Sequence, residues 1–213
     1  HTKEEVTSLL KVDKDFDFKK LVKPGRINRS VYLDPRIFNL EMERIFERGW
    51  VYVGHESQIP KSGNYVITTF GTQPVILVRH QDGNVFVFKN RCSHRGAVVC
   101  NNDSGQTKYF RCPYHGWTYG TDGALTGVPL RKGFPANFNL NGKNLHMPRA
   151  PRVDSYRGFI FASFSSEGPN LDSHLGVLKA SIDDIVDRAP DGEIALDCGV
   201  HKYRYRGNWK LQI

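Results

Sequence analysis

The sequence predicts a mainly β, turn-rich, soluble domain with long central loops. Three observations predict it. Short runs rich in β-branched and aromatic residues recur from Trp50 to Asn90 and again from Ala150 to Phe164, with Gly, Asp and Asn between them. The 213 residues include 20 Gly and 11 Pro, enough to turn the chain often, and 39% are apolar, enough for a core. One central stretch, Arg91 to Gly120, holds two mixed pairs, Cys92-Ser-His94 and Cys112-Pro-Tyr-His115.

Taken in order, His1 to Gly25 is charged with weak apolar periodicity, which predicts a short helix and a loose arm. Arg29 to Leu33 reads as a short extended piece. Asp34-Pro35 opens a helix, because Asp is a good N-cap and Pro suits the first turn. Its apolar stripe is Ile37, Phe38, Met42, Ile45 and Phe46, with Glu41 on the polar side, and Gly49 ends it. Strands are expected at Trp50–Val53, Tyr65–Phe70, Pro74–His80 and Val85–Asn90. Asp82-Gly83 reads as a type I′ hairpin turn. Asn101 to Gly105 is turn-like, and Thr107 to Arg111 is a strand delivering Cys112. Thr121-Asp122-Gly123 is a turn, and Leu130 to His146 a long loop. Ala150–Tyr156 and the apolar Gly158–Phe164 close the β domain. Beyond Gly168-Pro169, Leu171 to Ala189 has helical spacing stopped by Pro190, and Glu193 to Tyr205 reads as a long strand.

Composition narrows the function classes. The net charge of +8 raises a nucleic-acid reading, but Lys and Arg alternate with Asp and Glu and no basic helix is present. A basic face can instead steer an acidic partner. The longest apolar runs are too short to cross a bilayer, and the charged N-terminus shows no signal peptide. A cytoplasmic protein without nucleic-acid or membrane partners is expected. Cys100 and Cys198 are expected to be buried, reduced thiols.

The two mixed pairs carry the chemistry. Between His94 and Cys112 lie 17 residues, 95–111. Two thiolates and two imidazoles can close a tetrahedral zinc site. They can equally hold a [2Fe-2S] cluster with two Cys on one iron and two His on the other. Zinc spacings usually pair like with like, whereas each pair here is mixed and the first has a single intervening residue. Neutral imidazoles in place of thiolates raise the cluster potential to about −150 to +300 mV, against roughly −400 mV for all-Cys ferredoxins.

Cys92-Ser-His-Arg-Gly96, followed by Cys112-Pro-Tyr-His-Gly-Trp117, resembles the Rieske domain of ring-hydroxylating oxygenase large (alpha) subunits. The resemblance extends from about Asp34 to the C-terminus. It implies that Cys92, His94, Cys112 and His115 are the ligands. Arg95, Gly96, Gly116, Trp117 and Tyr119 are implied as the residues around them, and His115 as the electron exit. Respiratory Rieske proteins add a disulfide, but its places here are Ala97 and Tyr114. Their Ser after the last His-Gly is here Trp117. A lost hydrogen bond to sulfur implies a potential near the low end of the range, with Tyr119 able to restore such a bond.

The resemblance further implies an N-terminal arm over 1–39, a Rieske antiparallel β-sandwich over 40–165 and the start of an α+β helix-grip-like catalytic domain over 166–213. Gly207-Asn-Trp-Lys matches the family stretch opening the iron-binding helix, so the chain reads as a fragment. The mononuclear Fe(II) ligands are expected outside it. The implied partners are a ferredoxin or reductase, a small aromatic substrate such as an aromatic acid, and other subunits in an alpha3 or alpha3beta3 assembly. The alternatives are a stand-alone Rieske-type ferredoxin and a zinc-stapled interaction module.

Overall fold

A computed structural model describes residues 16–135, 137–196, 199, 201 and 203–212. The chain divides into two compact units, His1–Ile45 with His201–Ile213, and Phe46–Val200.

In the first unit, α1 (Phe18–Leu21) leads into a small antiparallel pair, β1 (Val22–Lys23) and β2 (Arg26–Ile27). The extended piece expected at Arg29–Leu33 is instead a helical turn, α2 (Ser30–Leu33). Asn28 Oδ1 accepts from the Ser30 N–H at 3.0 Å, and the Asn28 carbonyl accepts from Val31. That local capping outweighs the β preference of Val31 and Tyr32. Asp34 caps α3 (Pro35–Glu41) by accepting from the Arg36 N–H at 2.9 Å.

The chain then widens into a π-helical turn, Met42–Phe46. The wider turn breaks the 3.6-residue stripe, so Ile45 ends up 50% exposed. Glu41, expected on the polar side, is buried. It accepts from Trp209 Nε1 at 2.9 Å and from Lys210 Nζ at 2.5 Å. Asn208 Nδ2 bonds the Tyr32 carbonyl, so the Asn-Trp-Lys stretch is fastened to this helix.

Among the described residues the second unit carries three antiparallel sheets. The middle one has the order β6 (Val85–Lys89), β5 (Gln73–Arg79), β4 (Asn64–Phe70), β7 (Ser104–Gln106). A second sheet pairs β8 (Tyr109–Arg111), β9 (Thr118–Gly120) and β10 (Leu125–Gly127). A third pairs β3 (Val51–His55), β12 (Phe159–Ser163) and β11 (Arg152–Tyr156).

Period-two alternation explains how these layers share one centre. Ile76, Val78 and Phe88 face a core completed by Phe110, Trp117, Tyr119 and Leu125. Val75, Leu77 and Val87 face the opposite core, with Val53, Ile160 and Ala162. β5 is therefore buried on both faces, which is why its sequence runs Pro-Val-Ile-Leu-Val without polar alternation. Truncating Ile76 or Leu77 to Ala costs about 2–5 kcal/mol.

The β5–β6 connection is not the type I′ turn expected. Only Gly83 takes a positive φ (+89°), while Asp82 accepts from the Asn84 N–H at 2.9 Å. A two-residue turn with both φ positive joins β11 to β12 instead, at Arg157 (+50°) and Gly158 (+85°). Arg157 is held there by Asp183 and by Asp187, the latter at 2.6 Å.

The helix expected over Leu171–Ala189 is split. α4 (Leu171–Leu175) and α5 (Leu178–Val186) are separated by Gly176, at φ +48°. Their buried Leu171, Leu175, Ile182 and Val186 pack on Trp50, Tyr156, Phe159 and Phe161. The strand expected at Glu193–Tyr205 is not formed among the described residues, where no partner strand runs beside it to satisfy its backbone. Cys198 lies outside the described residues. Among the described residues no helix is long and apolar enough to cross a membrane.

Candidate metal centre

Two loops meet at one end of the second unit. The Cys92 loop connects β6 to β7, and the Cys112 loop connects β8 to β9. Both are closed by the same two hydrogen bonds. The Cys92 N–H donates to the Ala97 carbonyl and the Cys92 carbonyl accepts from the Gly96 N–H, both at 2.8 Å. The Cys112 N–H donates to the Trp117 carbonyl at 2.8 Å, and the Cys112 carbonyl accepts from the Gly116 N–H at 3.0 Å. Gly96 and Gly116 sit at φ +76° and +72°, where a side chain is strained.

This frame sorts the donors by depth. Cys92 and Cys112 are each 2% exposed, while His94 lies at the surface and His115 is half-buried. The His94 and His115 rings approach with centroids 4.7 Å apart, edge to face. Trp117 stacks on His94 at 4.8 Å, and Tyr114 lies against His115 at 3.8 Å. The two predicted imidazoles therefore meet, and the two predicted cysteines share one buried cluster.

The Tyr119 hydroxyl is 3.1 Å from Cys92 Sγ and accepts from the Ser93 N–H at 3.1 Å. Its own proton is thus free to point at the sulfur. Burial first, then the hydrogen bond to Cys92 and its charge, holds the Tyr119 phenol well above its ordinary range, so the donor stays protonated. Burial first, then the charges of His115 and Arg95, pushes His94 below the usual imidazole value. The neutral form so favoured is the one that binds a metal. Arg95 is exposed and lines, with Arg91 and Arg149, an open cleft beside the Cys92 loop.

Three contributors had no ligand spacing to mark them. Buried Asn90 accepts from the Val99 and Cys100 N–H groups and donates to the Cys100 carbonyl at 2.6 Å, pinning the return of the Cys92 loop. Ser93 Oγ donates to the His146 carbonyl at 2.5 Å, and His146 Nδ1 accepts from the Leu125 N–H at 2.9 Å. An Asn at the end of a strand was the available signal for the first. The loop from 130 to 146 gave none for His146. Cys100 is a free thiol, partly rather than fully buried.

The donor set fits a two-metal group. Each iron of a mixed-ligand cluster takes two protein ligands and completes its shell with sulfide, which needs no convergence of three side chains. Among the described residues no three of His, Cys, Asp or Glu surround one point.

Residues 49–157 match the family model described as the Rieske [2Fe-2S] domain. The chain is 41% identical over 190 residues to toluate 1,2-dioxygenase subunit alpha of Pseudomonas putida, covering 88% of this chain and 41% of that protein. It is 42% identical over 188 residues to N,N-dimethyl phenylurea N-demethylase subunit alpha of Sphingobium sp. strain YBL2, covering 88% and 40%. Among solved structures, naphthalene 1,2-dioxygenase from Rhodococcus sp. bound to indole superposes with a TM-score of 0.68 at 39% identity, covering 74% of this chain and 36% of that one. The chain spans less than half the length of these relatives.

Proposed function

We propose, from the premise that this chain belongs to the Rieske [2Fe-2S] domain family, that it is the electron-relay portion of an oxygenase large (alpha) subunit. Cys92 and Cys112 would hold one iron as thiolates, and His94 and His115 would hold the other as neutral imidazoles. When bound, the cluster stores and releases one electron at a time. The observation that carries the assignment is the pair of identically closed loops that bury both cysteines and leave the two imidazoles in contact, His94 exposed and His115 half-buried.

The protein's own groups set the conditions for that chemistry. Gly96 and Gly116 let the backbone come close. Tyr119 donates to the Cys92 sulfur, Trp117 fixes the His94 ring plane, and His115 lies on the exit side. Burial first, then the charges of His115 and Arg95, favours the neutral form of His94. The likeness to alpha subunits covers 88% of the chain, beyond residues 49–157, and favours this reading over a stand-alone ferredoxin.

In the full-length protein, a cytoplasmic ferredoxin or reductase would supply electrons from NAD(P)H. A mononuclear Fe(II) held outside this chain would serve the hydroxylation of an aromatic ring, with alpha subunits assembled in threes, with or without beta subunits. An aromatic acid is the proposed substrate, on the likeness to the toluate enzyme. Benzene 1,2-dioxygenase subunit alpha from Pseudomonas putida is equally 41% identical. A substrate panel on the full-length protein with its reductase therefore decides. Oxygenated aromatic acids are the expected product, and turnover confined to uncharged arenes or N-methyl groups would overturn that choice. Electron–nuclear double resonance on the reduced protein tests the ligands. Couplings to two imidazole nitrogens are expected, and their absence would remove the assignment.

A further inference from the structure

Each loop cysteine follows directly on an arginine, Arg91 before Cys92 and Arg111 before Cys112. The two side chains then do the same thing. A Cβ placed on Gly96 would find Arg91 Cδ at 3.9 Å and Nε at 4.0 Å. One placed on Gly116 would find Arg111 Nη2 at 3.4 Å and Nε at 3.5 Å. Each arginine thus lies along its own loop, over the glycine whose N–H closes that loop. Both are exposed, while the cysteines they precede are buried. Neither guanidinium forms an ion pair among the described residues, whereas those of Arg36, Arg79 and Arg157 do. Asp122 is the carboxylate that shares the cleft of Arg91.

We propose that Arg91 and Arg111 are a matched pair of positioning residues whose fixed charges hold the cluster's reduced form. This rests on the cluster assignment above. One-electron reduction makes and breaks no bond and adds one unit of negative charge to the group. Two permanent cations set over the loops stabilise that charge, raising the potential. Solvent screening limits the size of the effect at exposed side chains. Arg111, with its guanidinium nearer the loop glycine, has the larger share.

The test is a redox titration of the full-length holo protein, with mediators poised by dithionite, for R91Q, R111Q, the double variant and R149Q. Arg149 lines the same cleft but stacks over the Phe86 ring at 5.0 Å, away from both glycines. Iron, acid-labile sulfide and the EPR spectrum are measured on every sample, so loss of the cluster reading shows separately from a failure of this one. At fixed applied potential the reduced-to-oxidised ratio should fall roughly threefold for R91Q, about 28 mV at 59 mV per tenfold for one electron, and further for R111Q. The double variant should add the two, Arg→Lys should restore most of the ratio, and R149Q should move it least. An intact cluster with an unmoved ratio in the double variant overturns the proposal, as does an R149Q shift equal to the others. If a Gln variant fails to take up the cluster, the unaltered protein decides. Its ratio should fall as salt is raised from about 10 mM to 1 M, and a flat response overturns the proposal.

Discussion

In the Cys92 loop the histidine comes two residues after the cysteine, and in the Cys112 loop three, yet both loops close with the same pair of hydrogen bonds. The frame is set by the cysteine, the glycine four residues on and the residue after it. The histidine is free to sit at either intervening place. What differs is the packing outside the frame. Gly116 lies under Pro129, where a Cβ would come within 2.8 Å of Pro129 Cγ, whereas a Cβ on Gly96 would meet nothing closer than 3.9 Å. Cys92 has a tyrosine hydroxyl on its sulfur, and among the described residues Cys112 has none. Equal frames in unequal surroundings let each contribution be separated by changing one loop at a time.

The largest expected effect treats the loops alike. Cys92→Ser and Cys112→Ser should each abolish the visible absorption and the EPR signal, because two protein ligands per iron leave no spare donor. A cluster retained by either variant would show that the loops are not equivalent.

The glycines should split the loops apart. Gly96→Ala costs about 1–2 kcal/mol for its left-handed φ. Gly116→Ala adds overlap with a ring carbon that cannot swing away, for a total of about 2–4 kcal/mol. Denaturant unfolding of the two variants checks the order.

Tyr119→Phe acts on the Cys92 side alone. Losing a donor to a thiolate disfavours the reduced form and should lower the potential by on the order of 60 mV, a tenfold change in ratio. Because the phenol is held well above its usual range, the difference from the unaltered protein should stay constant up to about pH 9. Voltammetry across pH measures both.

The smallest effect is in the apo protein. His94 is pushed below the ordinary imidazole value of 6.5, so the folded chain binds fewer protons there than the unfolded chain. Its contribution is neutral well above that value and turns destabilising as pH falls through it, levelling off below the folded pKa. Thermal unfolding of apo protein against pH should show a shallower acid slope for His94→Asn.

Much of this site was legible because the ligand types and spacings are themselves the chemistry. Cys92, His94, Cys112 and His115 announce a metal group before any fold is known. The strands were legible from their β-branched and aromatic residues, whereas the burial of Val75 to Val78 on both faces came only with the sheets. The parts that were not legible depend on long-range satisfaction. Glu41 reads as a solvated helix residue until Lys210 and Trp209 arrive from far along the chain. His146 looks ordinary until its carbonyl takes the Ser93 hydroxyl. The π-helical turn at Met42–Phe46 displaces Ile45 from a stripe that the sequence spaces as regular helix. Among the described residues after Glu193, the expected strand is not formed.

Chemical analysis of the anaerobically purified full-length protein tests the central claim most directly. Two irons and two acid-labile sulfides per chain, with a rhombic EPR signal on one-electron reduction, are the predicted result for a [2Fe-2S] site. Zinc bound by the same four side chains, with neither iron nor sulfide present, would contradict it.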